Sequence, residues 1–240
     1  MAVAADSIVS LYERHAGAWA DARGRLPFTE RPWLGRFVAL LPPAARVLDL
    51  GCGSGAPIAA LLAANGHRIT GVDSSPSMIA MCRARLPGHE WRVGDMRDVA
   101  LHCRYDGIIA WDSFFHLTAN DQRRMLARFQ AMARPGAPLM FTAGPRHGEA
   151  VGSFQGEPLF HASLDPDEYR TRLDAAGFAV LHHVIEDPDA GGRSPWLVLA
   201  SSSASCGAPA GDCQRHDAAS SAGRISTAVS LRSLRPGPPP

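Results

Sequence analysis

The chain has no lysine: all 24 of its basic residues are arginine. That absence excludes Schiff-base and pyridoxal-phosphate lysines and the lysine of a phosphate-binding P-loop. A GC-rich coding bias, also visible in the abundance of alanine, glycine and proline, accounts for it. An excess of one sign of charge is missing as well, because the formal net charge is +1 and the arginines are scattered. Neither nucleic acid nor a membrane surface is therefore an expected partner, and no protein partner is evident. The five cysteines (Cys52, Cys82, Cys103, Cys206, Cys213) show no CxxC spacing and no histidine cluster, so neither a disulfide framework nor a metal site is expected. No apolar run is long enough to span a bilayer and no signal-like leader precedes the first helix, which together point to a cytoplasmic protein.

With 46% hydrophobic and 20% charged residues, the 240-residue chain can bury one sizeable core. Its pattern alternates: strand 45–50, helix 56–65, strand 67–73, helix 76–86, strand 89–93, strand 105–111, helix 120–133, strand 137–143, helix 165–176, strand 178–186 and strand 195–200. Such alternation predicts an α/β fold, a doubly wound Rossmann-like sheet. The turn Asp187-Pro188-Asp189-Ala190-Gly191-Gly192 joins the last two strands as a hairpin and makes the final strand antiparallel. Residues 1–44 carry about two amphipathic helices, an N-terminal cap, with Tyr12, His15, Trp19 and Arg23 on one face of the first. Residues 45–200 form the expected domain. Residues 201–240, with nine serines and a Pro-Gly-Pro-Pro-Pro end, read as a disordered low-complexity tail.

The most informative stretch is Val47-Leu48-Asp49-Leu50-Gly51-Cys52-Gly53-Ser54-Gly55, a buried strand emptying into a glycine turn and followed by an apolar helix. Asp73 ends the next strand, where a carboxylate can accept from ribose hydroxyls. A third block, Trp91-Arg92-Val93-Gly94-Asp95-Met96-Arg97, offers Asp95 to an exocyclic amine and Met96 to a ring face. The glycines fit both a dinucleotide and an S-adenosylmethionine site. Asp49 beside the turn favours the cationic ligand over a pyrophosphate.

These three ordered motifs resemble the class I S-adenosylmethionine-dependent methyltransferases, over roughly residues 8–200. The resemblance implies a seven-stranded mixed sheet, S-adenosyl-L-methionine as cofactor, and methyl transfer to a small-molecule acceptor by in-line displacement. It also implies Asp49, Gly51 and Gly53 at the methionine end, Asp73 at the ribose, and Ser74, Met78, Asp95 and Met96 at the adenine. Trp111, with Asp112, falls beside the sulfonium, and Tyr12 is the contact from a first helix that closes over the cofactor. Acceptor residues follow the strand ends: Phe115, His147 and His161, with 144–164 as a glycine-bearing lid. His116, four residues beyond Asp112, is the candidate base for an acceptor that must lose a proton, with a pH profile rising near 6–7. Two alternatives remain open, a nicotinamide-dependent oxidoreductase and a non-catalytic S-adenosylmethionine-binding protein.

Overall fold

The computed structural model describes residues 7–202. Seven strands form one mixed sheet: β1 (Arg46–Leu50), β2 (Arg68–Asp73), β3 (Glu90–Val93), β4 (Gly107–Ala110), β5 (Pro138–Ala143), β8 (Phe178–His183) and β9 (Ser194–Ala200). Their order is β3-β2-β1-β4-β5-β9-β8, with β9 antiparallel to both neighbours. The expected mixed, doubly wound sheet is thus present, antiparallel last strand included.

Alternation along each strand builds two cores. Leu48, Leu50, Ile108, Ala110, Leu139 and Phe141 face α6 (Ala119–Met132) and α7 (Pro166–Ala175), packing on Met125, Leu126, Phe129, Tyr169 and Leu173. Val47, Ile69, Ile109, Trp111 and Met140 face α3 (Arg31–Ala39), α4 (Ile58–Ala64) and α5 (Pro76–Arg85), packing on Trp33, Phe37, Leu62 and Ile79. Buried on both faces, β4 and β5 read as near-continuous apolar runs. The helices start where their caps say. Ser75 Oγ accepts from Met78 N at 3.1 Å with Pro76 in the first turn, and Asp165 accepts from Asp167 N at 2.8 Å ahead of Pro166.

Three expectations need correction. Among the described residues the N-terminal cap holds three helices, because the first periodic run breaks at His15 into α1 (Ile8–Arg14) and α2 (Ala16–Arg25) ahead of α3. His15, at φ −112°, leaves the helical region, so Tyr12 and Trp19 sit on different helices. The segment 144–164 is not a loop. It forms a separate antiparallel hairpin, β6 (Gly148–Phe154) and β7 (Glu157–Ser163), whose one solvent-facing side and four small or glycine positions hid its period-two pattern. The fourth strand is also shorter than expected, ending at Ala110.

The chain reverses direction across the sheet between β1 and β4, so their carboxyl ends open a crevice at the switch point. Residues 203–240, most of the expected tail, lie outside the described residues. Among the described residues no helix is long and apolar enough to cross a membrane.

Candidate active site

At that crevice lies a cavity of about 820 Å³, open solvent at its mouth included. Its floor comes from the ends of β1 and β2 (Gly51, Val72, Asp73, Ser74) and from Met78. One wall is the turn after β3, Gly94-Asp95-Met96-Arg97. The opposite wall is the segment after β4, with Asp112, Ser113 and His116, continuing to Leu117, Thr118 and Asp121. Ile8, Val9 and Tyr12 from α1 and Trp19 from α2 form the roof. Gly51 (φ +74°) cannot carry a side chain, since a Cβ there would sit 2.3 Å from Ser113 Cβ. Ser113 Oγ also donates to Leu50 O at 2.7 Å, which ties the ends of β1 and β4 together. At Gly53 (φ +53°) the ring of Trp19 occupies the space a Cβ would need.

Carboxylates dominate the electrostatics. Asp73 accepts from Gly53 N and Ser75 N, each at 2.9 Å; burial raises its pKa and these two backbone bonds oppose the rise. Asp95 is buried in part, which works against ionisation, but the Arg97 guanidinium and backbone N–H hold it below the ordinary carboxylate range. Arg97 reaches on to Asp121 at 3.3 Å. Asp112 is a non-glycine residue at φ +50°, a strained conformation at the mouth of the site. Its carboxylate accepts from Arg193 Nε at 2.6 and 2.9 Å, and Arg193 also donates to Ala190 O at 2.9 Å.

The roof is tied down at both ends. Glu13 of α1 accepts from Ser77 Oγ at 2.8 Å, from Ser77 N at 3.1 Å and from Ser75 Oγ, so a carboxylate caps the N-terminus of α5 from another helix. At the other end Arg14 and His15 bind Glu157 at the start of β7, the His15 contact at 2.7 Å. Tyr12 stacks on Phe154 with centroids 6.2 Å apart, and Ile8 packs with Phe160 and Ala162. Gln122 Nε2 donates to Ala162 O at 2.8 Å, which anchors the hairpin to α6.

A second cavity of about 900 Å³ opens beneath the hairpin, lined by Phe115, Gly144, Arg146, His147, Glu149, His161 and Glu186 among others. The two cavities meet at stacked rings. His161 lies 4.9 Å from His116 and 5.1 Å from Phe115, centroid to centroid.

Of the residues expected at the cofactor, Tyr12, Gly51, Asp73, Ser74, Met78, Asp95 and Met96 line the first cavity, together with His116. Asp49, Gly53 and Trp111 do not. Asp49 shares the α3–α5 face of the sheet with Val47, and Trp111, just past β4, packs with Ile109 in the core on that side. There Asp49 is 3% exposed, and burial together with the neighbouring Asp73 pushes its carboxyl up to about 7. Trp111 is enclosed in the core, its indole N–H without an acceptor. Gly53 lies under Trp19. Phe115, His147 and His161 line the second cavity, not the first. Burial lowers His116 to about 4, so an inflection near 6–7 is not expected of it. Trp19, Arg97 and Asp121 were not among the expected site residues. Arg97 directly follows the expected Asp95-Met96 pair, the one signal that could have found it.

Residues 47–136 match the family model of a methyltransferase domain. A magnesium-protoporphyrin O-methyltransferase of Rhodobacter capsulatus is 35% identical over 106 residues, covering 42% of this chain and 46% of that protein, so the chain spans about half of that relative's length. A malonyl-[acyl-carrier protein] O-methyltransferase of Serratia marcescens is 27% identical over 70% of this chain and 67% of its own length. Among solved structures, the amino pentose methyltransferase CalS10 of Micromonospora echinaspora superposes with a TM-score of 0.60 at 22% identity, covering 77% of this chain and 96% of that one. The 1,6-didemethyltoxoflavin-N1-methyltransferase of Burkholderia thailandensis does so with 0.62 at 22%, covering 82% and 87%. The solved structures share the fold, and residues 47–136, which contain the glycine loop, Asp73 and the Asp95 turn that converge on one cavity, are similar to a methyltransferase domain.

Proposed function

We propose that the protein transfers a methyl group from S-adenosylmethionine to a small-molecule acceptor. The observation that carries this reading is the convergence of the glycine loop, Asp73 and the Gly94–Arg97 turn around a single cavity at the switch point. The residues fit the cofactor. Gly51 leaves a cradle that a Cβ would fill, and the Asp73 oxygens, each accepting one backbone N–H, keep lone pairs for a diol. Met78, Met96 and Leu117 offer apolar surface to a ring.

On this reading Gly51, Asp73, Ser74, Met78, Asp95 and Met96 hold the cofactor, which supplies an electrophilic methyl on a sulfonium when bound. Asp112, with its charge shared by Arg193, favours positive charge at the cavity mouth. Phe115, His147 and His161 receive the body of the acceptor in the second cavity, and its reacting atom enters the first where the two meet at the Phe115, His161 and His116 rings. The chain's own task is positioning and exclusion of water, since in-line displacement asks little else. Helices α1 and α2 serve as the roof and residues 45–200 as the binding domain. The relatives' names span oxygen, nitrogen and carbon acceptors, so they do not choose the atom.

Titration calorimetry with S-adenosylhomocysteine and, separately, NAD⁺ tests the reading. Binding of S-adenosylhomocysteine without measurable NAD⁺ binding is the expected result, and the reverse overturns it. Metabolite profiling with methyl-labelled S-adenosylmethionine then identifies the acceptor.

A further inference from the structure

His116 makes two hydrogen bonds that fix its tautomer. Nδ1 lies 2.8 Å from the Phe160 carbonyl oxygen and Nε2 lies 2.9 Å from the Tyr12 hydroxyl. A carbonyl oxygen only accepts, so Nδ1 carries the proton and Nε2 presents its lone pair. The Tyr12 hydroxyl therefore donates to Nε2. With its hydrogen turned to the histidine, the phenolic oxygen keeps its lone pairs for the cavity that both residues line. This is the arrangement of a proton relay in its receiving state: an acceptor oxygen at the ligand, and an imidazole lone pair behind it.

The surroundings keep both groups neutral until a proton arrives. Burial raises Tyr12, and Asp112 and Asp73 reinforce the rise. Burial lowers His116; the Phe160 carbonyl opposes that, and His161, stacked on it, adds to the lowering. His161 is itself lowered by burial while Asp112 acts in the other direction. Asp121, further along the wall, is paired with Arg97 and Arg124.

We propose that Tyr12 is a catalytic residue that accepts the proton of a hydroxyl-bearing acceptor, with His116 behind it as the positioning and proton-receiving partner. This rests on the methyltransferase reading and names its substrate class. The acceptor oxygen forms its bond to the methyl carbon as the sulfur–carbon bond breaks, and the electron pair of that bond stays on sulfur. The acceptor's proton passes to the Tyr12 oxygen while the Tyr12 proton passes to His116 Nε2. The imidazolium then returns its proton to solvent, and no other reagent is consumed. The weakness of the base selects the class. A protonated ether is a far stronger acid than even a depressed imidazolium, so the transfer runs downhill once the oxygen–carbon bond forms. An alkylammonium is a far weaker acid, and an amine acceptor gains nothing from this relay. A carboxylate acceptor has no proton to give.

Two sets of measurements test the proposal. Nitrogen-15 NMR of labelled histidines reads the geometry without turnover, in the free protein and with S-adenosylhomocysteine bound. His116 is expected as the Nδ1–H tautomer, neutral at pH 7, and Tyr12→Phe is expected to raise its titration midpoint because Nε2 loses its donor. An Nε2–H tautomer, or a midpoint unmoved in Tyr12→Phe, overturns the relay. Methyl-labelled S-adenosylmethionine with a panel of phenols, catechols and primary amines reads the class. Hydroxyl probes are expected to be methylated, with kcat falling about 10²–10⁴-fold in Tyr12→Phe and in His116→Gln. S-adenosylhomocysteine affinity should stay within about threefold of wild type, against losses of that size. Glutamine keeps one donor and one acceptor but cannot take up a proton, so rescue by His116→Gln would show a merely structural histidine. Loss of S-adenosylhomocysteine affinity in step with turnover would make Tyr12 a cofactor contact only, and turnover confined to amines would overturn the substrate class. Failure of the methyltransferase reading looks different: wild-type protein would not bind S-adenosylhomocysteine at all.

Discussion

Asp49 and His116 are buried titratable residues that pull the pH dependence of stability in opposite directions. His116 falls to about 4 in the fold, whereas an unfolded histidine titrates near 6.5. Between those values the unfolded chain binds the extra proton. The contribution of His116 is therefore complete above about pH 6.5 and is lost as the pH falls toward 4. Asp49 rises to about 7, against roughly 3.9 when unfolded. Here the folded chain holds the extra proton, so its contribution is complete below about pH 3.9 and is lost as the pH rises through 7. The two slopes offset each other over much of this range. Asp49→Asn removes one of them, and stability should then rise with pH more steeply than in wild type, by up to about 1.4 kcal/mol per pH unit between roughly pH 4 and 7. Urea unfolding at a series of pH values measures this; parallel curves would mean that Asp49 is ionised in the fold. Asp73→Ala belongs to the same scale. If its oxygens hold the ribose diol, S-adenosylhomocysteine binding weakens by about 1.5–3 kcal/mol, roughly 10- to 100-fold in Kd. The same change strips the acceptor from Gly53 N and Ser75 N, so melting should fall as well. Calorimetry on the folded variant showing unchanged affinity would remove Asp73 from the site. Asp73, Asp95 and Met96 line the cavity to which the sequence points because each stands at or just past the end of a strand, where chain direction and sheet polarity dictate position. Asp49 and Trp111 do not line it for a local reason: Asp49 shares the far face with Val47, Trp111 packs in the core on that side, and motif spacing does not report the face.

Elements, more than single residues, decide how the cavity is closed. Glu13 sits on a helix of seven residues whose inner side carries little apolar surface, with Ile8 and Leu11 its buried side chains. Its hold on the domain is polar, through the three bonds to Ser75 and Ser77 and through the Arg14 and His15 bonds to Glu157. Glu13→Ala should therefore release α1 locally. Amide exchange in α1 should quicken while β1, β4 and β5 stay protected, and hydrogen-exchange mass spectrometry resolves the two. Equal protection of α1 in the variant would show that apolar packing alone seats the roof. The strands and the caps at Ser75 and Asp165 were legible because period-two burial and N-cap chemistry are local. The β6–β7 hairpin was not, since Gly148, Ala150, Gly152 and Ser153 carry no apolar alternation and its pairing is fixed by partners distant in sequence, Gln122 and α1.

At the scale of the whole molecule, the antiparallel pair β8–β9 completes both cores. Trp196 and Val198 join the face shared with α6 and α7, while Leu197 joins the face shared with α3 to α5, so β9 is a central strand wedged between β5 and β8. Its end is fastened by backbone bonds, Gly136 N to Ala200 O at 3.0 Å and Ser201 N to Gly177 O at 2.7 Å. Every residue of the two cores lies between Trp33 and Ala200. From this closure, a chain ending at Ser202 should melt cooperatively at the temperature of the full-length protein and bind S-adenosylhomocysteine with the same affinity. Differential scanning calorimetry and titration calorimetry on the two chains make the comparison. A lower melting temperature in the shorter chain would mean that residues 203–240 bury surface against the domain, and weaker binding at unchanged melting temperature would mean that they reach the site. Because β9 lies next to β5, whose end feeds the second cavity through Ala143 and Gly144, the same experiment also reads the acceptor side. An intact sheet with altered turnover of a hydroxyl probe would locate the contribution of that segment at the acceptor cavity and not at the cofactor.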